Sequence, residues 1–116
     1  QLELKQFNIT NSKVIFGTVL EFEVELKSTL PDDQNIIIDY AIHHRKANGK
    51  TSPKVFKWKS TTLKAGQHLK AAKKHKIVPI TTRVYYPGVH SVELLINGKS
   101  YGSCDFELII NNEKYA

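Results

Sequence analysis

The sequence predicts an all-β protein, an immunoglobulin-like antiparallel β-sandwich of about seven strands in one domain spanning residues 1–116. Three observations carry the prediction. Apolar residues recur with a period of two along most of the chain, which is the pattern of half-buried strands. Turn signals separate the alternating stretches: Pro31-Asp32-Asp33, Asn48-Gly49, Ala65-Gly66, Pro87-Gly88 and Asn97-Gly98. No stretch shows a helical period.

Taken in order, Leu2–Ile9 reads as the first strand. Leu2 and Leu4 share a face, then the pattern slips to Phe7 and Ile9, which predicts a bulge. Asn11–Gly17 reads as a loop with a short apolar insert, Val14-Ile15-Phe16. The second strand is the cleanest, with Leu20, Phe22, Val24 and Leu26 alternating with Glu21, Glu23, Glu25 and Lys27. The third covers Asn35–Arg45, and Ile36-Ile37-Ile38 makes both its faces apolar, as in a central strand covered on both sides. The fourth is short, Lys54–Lys59, with Phe56 and Trp58 on one face and Val55, Lys57 and Lys59 on the other. Pro53 before it suits an edge. Ser60–Gln67 reads as a loop. The fifth strand, His68–Val78, has Leu69, Ala71 and Ile77 on its inner face. Pro79–Gly88 crosses to a closing hairpin, where Val92, Leu94 and Ile96 alternate with Ser91, Glu93 and Leu95. Asn97-Gly98 tolerates the positive φ of a type I′ turn. The seventh strand, Ser100–Ile110, turns Cys104, Phe106 and Leu108 inward.

In this topology the first, second and fifth strands share one sheet. The third, sixth and seventh share the other, with the fourth at its edge. The outward glutamates of the second strand then face Lys70, Lys74 and Lys76 of the fifth, in cross-strand pairs that contribute roughly 0.2–1 kcal/mol each.

Charge is segregated along the chain. The net charge is +6, and no Asp or Glu occurs from Tyr40 through Val92, a window holding 12 of the 17 Lys and Arg residues. Such a window is a footprint for a phosphate-bearing or acidic partner. Once the fifth strand's lysines are paired, the uncompensated cations are those around the third and fourth strands. The candidates for phosphate contact are Arg45, Lys46, Lys50, Lys54 and Lys57, with Arg83. The same lysines also serve to keep an edge strand from pairing with other chains.

The chemistry of catalysis is not written here. The chain carries no Walker loop, dinucleotide fingerprint or nucleophile elbow. His43 and His44 point to opposite faces of one strand, and His68, His75 and His90 lack ligand spacing, so surface or rim histidines are expected and no metal or cofactor. Asp39 reads as solvent-facing or hydrogen-bonded. Trp58 is assigned to the core, Cys104 to a small core position, and one of Tyr85 and Tyr86 to a tyrosine corner. The lone cysteine excludes an internal disulfide and fits a reducing, cytoplasmic compartment. No apolar run approaches the ~20 residues of a membrane helix. The start at Gln1 suggests a piece of a longer protein.

Two blocks, KANGKTSPKVFKWK over Lys46–Lys59 and PITTRVYYPGVHSVELLING over Pro79–Gly98, resemble the C-terminal β-domain of bacterial proteins of the DNA alkylation repair family. The likeness covers Asn35 to Ile110. In that family the domain follows HEAT-like helical repeats associated with binding alkylated DNA and removing the base. The resemblance therefore implies a non-catalytic accessory domain and transfers no active site. Its implied partners are duplex DNA, contacted without sequence preference, and an N-terminal helical-repeat domain in the same chain. The alternative is an interaction module packed on the helical repeats through an exposed apolar patch near Val14–Phe16 or Tyr85-Tyr86, without DNA contact.

Overall fold

The computed structural model describes residues 2–78 and 84–110. Among these residues there are eight strands and no helix. They are β1 (Leu2–Ile9), β2 (Lys13–Ile15), β3 (Val19–Ser28), β4 (Gln34–Arg45), β5 (Thr51–Leu63), β6 (His68–Lys76), β7 (Gly88–Ile96) and β8 (Lys99–Ile109). They form two sheets, ordered β1-β3-β6 and β2-β8-β7-β4-β5. This is the expected sandwich and the expected assignment of strands to sheets. The body is elongated, 54 × 22 × 21 Å.

Alternation decides most of the structure. Leu20, Phe22, Val24 and Leu26 of β3 are buried, as are Val92, Leu94 and Ile96 of β7 and Phe106 and Leu108 of β8. They meet across the sandwich in two clusters. One gathers around Phe22, Tyr40, Ile42 and Phe106, the other around Leu26, Ile36, Ile38 and Leu94. Phe7 and Trp58 pack against both. The Trp58 indole stands edge-on to Phe22, ring centroids 5.4 Å apart, as its assignment to the core requires. The bulge in β1 falls between Leu4 and Gln6. The β7–β8 turn has Asn97 at φ 52° and Gly98 at φ 80°, the geometry of a type I′ hairpin. Oδ1 of Asn97 also accepts from the amide of Ile37 at 2.9 Å, so this turn is tied to β4.

Four expectations are corrected. The stretch read as a loop at Asn11–Gly17 contains β2, which pairs in parallel with β8. The amide of Phe16 donates to the carbonyl of Ile109 at 2.8 Å, so β2 caps an edge that β8 would otherwise expose. The fourth strand is not short. It runs through Ser60 to Leu63 because Thr61 and Leu63 pair with Ile36 and Gln34. It carries a bulge: Ile38 pairs with Lys59 and Asp39 with Lys57, leaving Trp58 as the extra residue. Lys59 therefore does not continue the face of Val55 and Lys57. The third strand is central but covered on one side only, for Ile37 is 53% exposed on the outer face.

Candidate nucleic-acid interface

The β4–β5 ribbon gathers five of the six cations named from the sequence. Arg45 closes β4, Lys46 and Lys50 flank the turn, and Lys54 and Lys57 lie on β5. Lys59 joins them. From Gln34 to Leu63 there are six cations and one carboxylate, Asp39. Arg83 lies outside the described residues.

The ribbon forms because both strands are long and paired from Gln34↔Leu63 to Arg45↔Thr51, with Asn48-Gly49 at the turn. Gly49 takes φ 82°, and the amide of Lys50 donates to Oδ1 of Asn48 at 3.0 Å. Lys46, Lys50, Lys54, Lys57 and Lys59 are exposed, while Arg45 is half-buried. The Arg45 side chain runs across Gly88 at the start of β7. A Cβ on Gly88 would stand 2.7 Å from Cδ and 2.9 Å from Nε of Arg45. A Cβ on Gly49 would stand 3.8 Å from its Nη2. The guanidinium therefore lies between β7 and the turn, half-buried at the ribbon tip.

Beneath it lies a histidine pair that sequence reasoning placed at the surface. His90 is 1% exposed and His44 is buried, their rings 5.9 Å apart. Nε2–H of His90 donates to the carbonyl of Tyr86 at 2.8 Å, and its Nδ1 accepts from the amide of Arg45 at 3.2 Å. These bonds require the neutral tautomer. Burial pushes the His90 pKa down, the Tyr86 carbonyl opposes this, and Arg45 adds to the lowering. Tyr85 packs on Phe16 at 5.0 Å and on His44 at 5.7 Å, and the recorded bond of Tyr86 is through its carbonyl. His75 also points inward. Its Nδ1 is hydrogen-bonded to the Tyr40 hydroxyl at 2.8 Å, and burial, aided by Lys73, lowers its pKa to about 4. His43 faces outward, with Nε2 2.9 Å from Oε1 of Glu93. Among the described residues no three His, Cys, Asp or Glu side chains gather as a metal site. Cys104 is half-buried, with Sγ 3.5 Å from the Phe7 carbonyl, and burial raises its pKa, which suits packing and not nucleophilic attack.

Elsewhere the positive charge is offset. Glu21 pairs in register with Lys74 and Glu25 with Lys70, while Glu23 stands opposite Ala72 rather than a lysine. Nδ1 of His68 lies 3.3 Å from Oε2 of Glu25. A recess of about 340 Å³ opens on this sheet, lined by Glu23, Glu25, Lys70 and Ala72. A second, about 290 Å³, opens at the bulge in the ribbon. Asp39 lines it, half-exposed on the outer face as expected, with one of its oxygens, Oδ1, buried and without a hydrogen-bond donor. The expected apolar patch exists in altered form. Val14 and Phe16 are buried, and the exposed residues are Ile15, Ile109 and Val89 on the outer face of β2, β8 and β7, with Val84 nearby in sequence.

Residues 3–110 match the family described as the C-terminal Ig-like domain of the uncharacterised protein YhaZ. The uncharacterised protein YhaZ of Bacillus subtilis (strain 168) is 30% identical over 107 residues, which are 92% of this chain and 29% of that protein. The alkylpurine DNA glycosylase AlkC of Pseudomonas fluorescens, solved bound to DNA containing an abasic site analog, superposes with a TM-score of 0.90 at 35% identity. That match covers 93% of this chain and 30% of AlkC. A β-glucosidase from Listeria innocua superposes with a TM-score of 0.77 at 15% identity over 96% of this chain and 16% of its own, a likeness of fold alone. The chain thus spans about three-tenths of the length of the YhaZ and AlkC proteins it matches.

Proposed function

This chain belongs to the family of YhaZ C-terminal Ig-like domains, and from that premise we propose that it is a non-catalytic accessory domain of an AlkC-like, cytoplasmic DNA repair protein. In this reading it holds the nucleic-acid backbone without sequence preference. The observation that carries the proposal is the ribbon, where six cations meet a single carboxylate, while on the opposite sheet Glu21 and Glu25 stand in register with Lys74 and Lys70. Arg45, Lys46, Lys50, Lys54 and Lys57 supply the phosphate contacts, and Arg83 is the sixth candidate. Arg45 is the anchor, because its guanidinium is already positioned between Gly88 and the turn and loses less freedom on binding. The likeness to AlkC, solved on DNA, supports the choice of partner.

The test is a fluorescence-anisotropy titration of a short duplex at two salt concentrations. Engaging about five phosphates gives a salt slope near −4.5, so raising salt about sixfold weakens binding roughly three-thousand-fold. No binding at low salt, or binding indifferent to salt, rejects the proposal.

A second reading is favoured by Ile15, Ile109 and Val89. Ile15 and Ile109 stand side by side in register, and Val89 is next to them across β8. Such an outer-face patch suits a module packed on a helical-repeat domain. Ile15→Asp with Val89→Asp would then loosen the domain from the rest of the full-length protein while leaving the salt slope on DNA unchanged.

A further inference from the structure

The bulge in β5 does more than bend an edge strand. Outward side chains on a regular strand are two residues apart. On β5 they are Lys57, opposite Asp39, and Ser60, opposite Ile37, three residues apart. Trp58 has turned its indole into the core. The missing outward side chain leaves the recess of about 290 Å³ on the outer face, walled by exposed Ile37 and the Trp58 segment, with Lys57 and Lys59 beside it and Asp39 against it.

Asp39 is unusual here. It faces Lys57 in register, yet forms no ion pair among the described residues, and no donor reaches its buried Oδ1. A carboxylate oxygen left without a donor is costly, and its presence calls for a donor from outside the protein. The terminal torsion of an Asp is soft, so a donor entering the recess can draw that oxygen toward itself.

The geometry points to a site for one unpaired guanine base, with its N1–H and N2 amino group on the two oxygens of Asp39, its face on Ile37, and its phosphate on Lys57. A carboxylate only accepts, so it selects a base edge that donates. Adenine and cytosine present one amino group beside a ring acceptor, which the second oxygen would repel. Uracil and thymine present one N–H between two carbonyls. Guanine alone presents two adjacent donors. That edge is occupied in a duplex, so the site takes a base outside the helix. The recess is at the lower limit of ligand pockets, which suits one base and not a longer segment. This inference rests on the nucleic-acid reading of the ribbon, and it adds base selectivity to a surface otherwise blind to sequence.

The test is an ¹⁵N–¹H NMR titration of the chain with GMP, AMP, CMP, UMP and inorganic phosphate separately. GMP is expected to shift the amides of Ile37, Asp39, Lys57 and Ser60 saturably, with an affinity at least about tenfold above the other three nucleotides. Asp39→Asn should erase that preference, and Lys57→Gln should weaken all four nucleotides alike. Equal shifts with every nucleotide and with phosphate, shifts confined to the hairpin tip, or an undiminished GMP preference in Asp39→Asn would overturn the site. Loss of duplex binding with GMP selectivity intact would sink the backbone-contact reading and spare this one. The reverse result would do the opposite.

Discussion

Acidification from pH 7.5 to pH 4 should destabilise this domain through His75 before its carboxylates matter. Folded, the imidazole is half-buried against Tyr40 and Phe56 and takes a proton only near pH 4. Unfolded, it takes one near 6.5. Between these values the unfolded chain binds the proton more strongly. Stability is therefore complete above pH 6.5, drains as pH falls, and levels off below about 4. A shift of 2.5 pH units between 6.5 and about 4 corresponds to at most ~3.4 kcal/mol, and partial exposure of the ring reduces this to about 2 kcal/mol. For a chain of this length about 2 kcal/mol is a fall of roughly 8 °C in Tm. His90, also lowered by burial, acts in the same direction. The assay is a thermal melt followed by near-ultraviolet circular dichroism at pH 7.5, 6.5, 5.5, 4.5 and 4. His75→Gln keeps a partner for the Tyr40 hydroxyl and removes the titration, so its Tm should fall by clearly less across the same range. A variant with the parent's full pH slope, or a parent that grows more stable below pH 6.5, would refute the reasoning.

Gly88→Ala places a Cβ 2.7 Å from Cδ of Arg45 on a backbone at φ 124°. It should cost about 2–4 kcal/mol, and pairing it with Arg45→Ala should recover the steric part, both read from chemical denaturation. Asn97→Ala loses a turn residue at φ 52° and the acceptor for the Ile37 amide. It should cost about 1–2 kcal/mol, with Asn97→Gly recovering part of this. Trp58→Ala should cost about 3–5 kcal/mol, since the indole contacts both core clusters, and a result under about 1 kcal/mol would show that it is not central.

Much of the fold was legible because strands with one buried face advertise it. The alternation of Leu20–Leu26 and Val92–Ile96 assigned faces, and once faces were known the sandwich topology sorted strands into sheets. What escaped detection depended on contacts distant in sequence. The β2 segment is three residues long and becomes a strand only because β8 offers it an open edge. In Ile36-Ile37-Ile38 no alternation says which residue is outward, so coverage on both sides was inferred where Ile37 is exposed. The burial of His44 and His90 arises from packing on each other, on Tyr85 and on Phe106, and neither has a sequence signature. Five of the six candidate cations came together because they lie on one hairpin, where nearness in sequence is nearness in space. The recess beside Asp39 could not be read at all. It follows from a one-residue slip at Trp58 that composition does not mark.

That slip also bears on how the molecule comes apart. With the hydrophobic interior divided lengthwise and, among the described residues, an indole and a phenyl ring, Trp58 and Phe7, reaching both halves, the two ends of the body can fray semi-independently. The end bearing Arg45 and the histidine pair could loosen and re-form against a charged surface while the far end holds register. Amide exchange resolved along β4 would reveal the seam as a step in protection near Asp39.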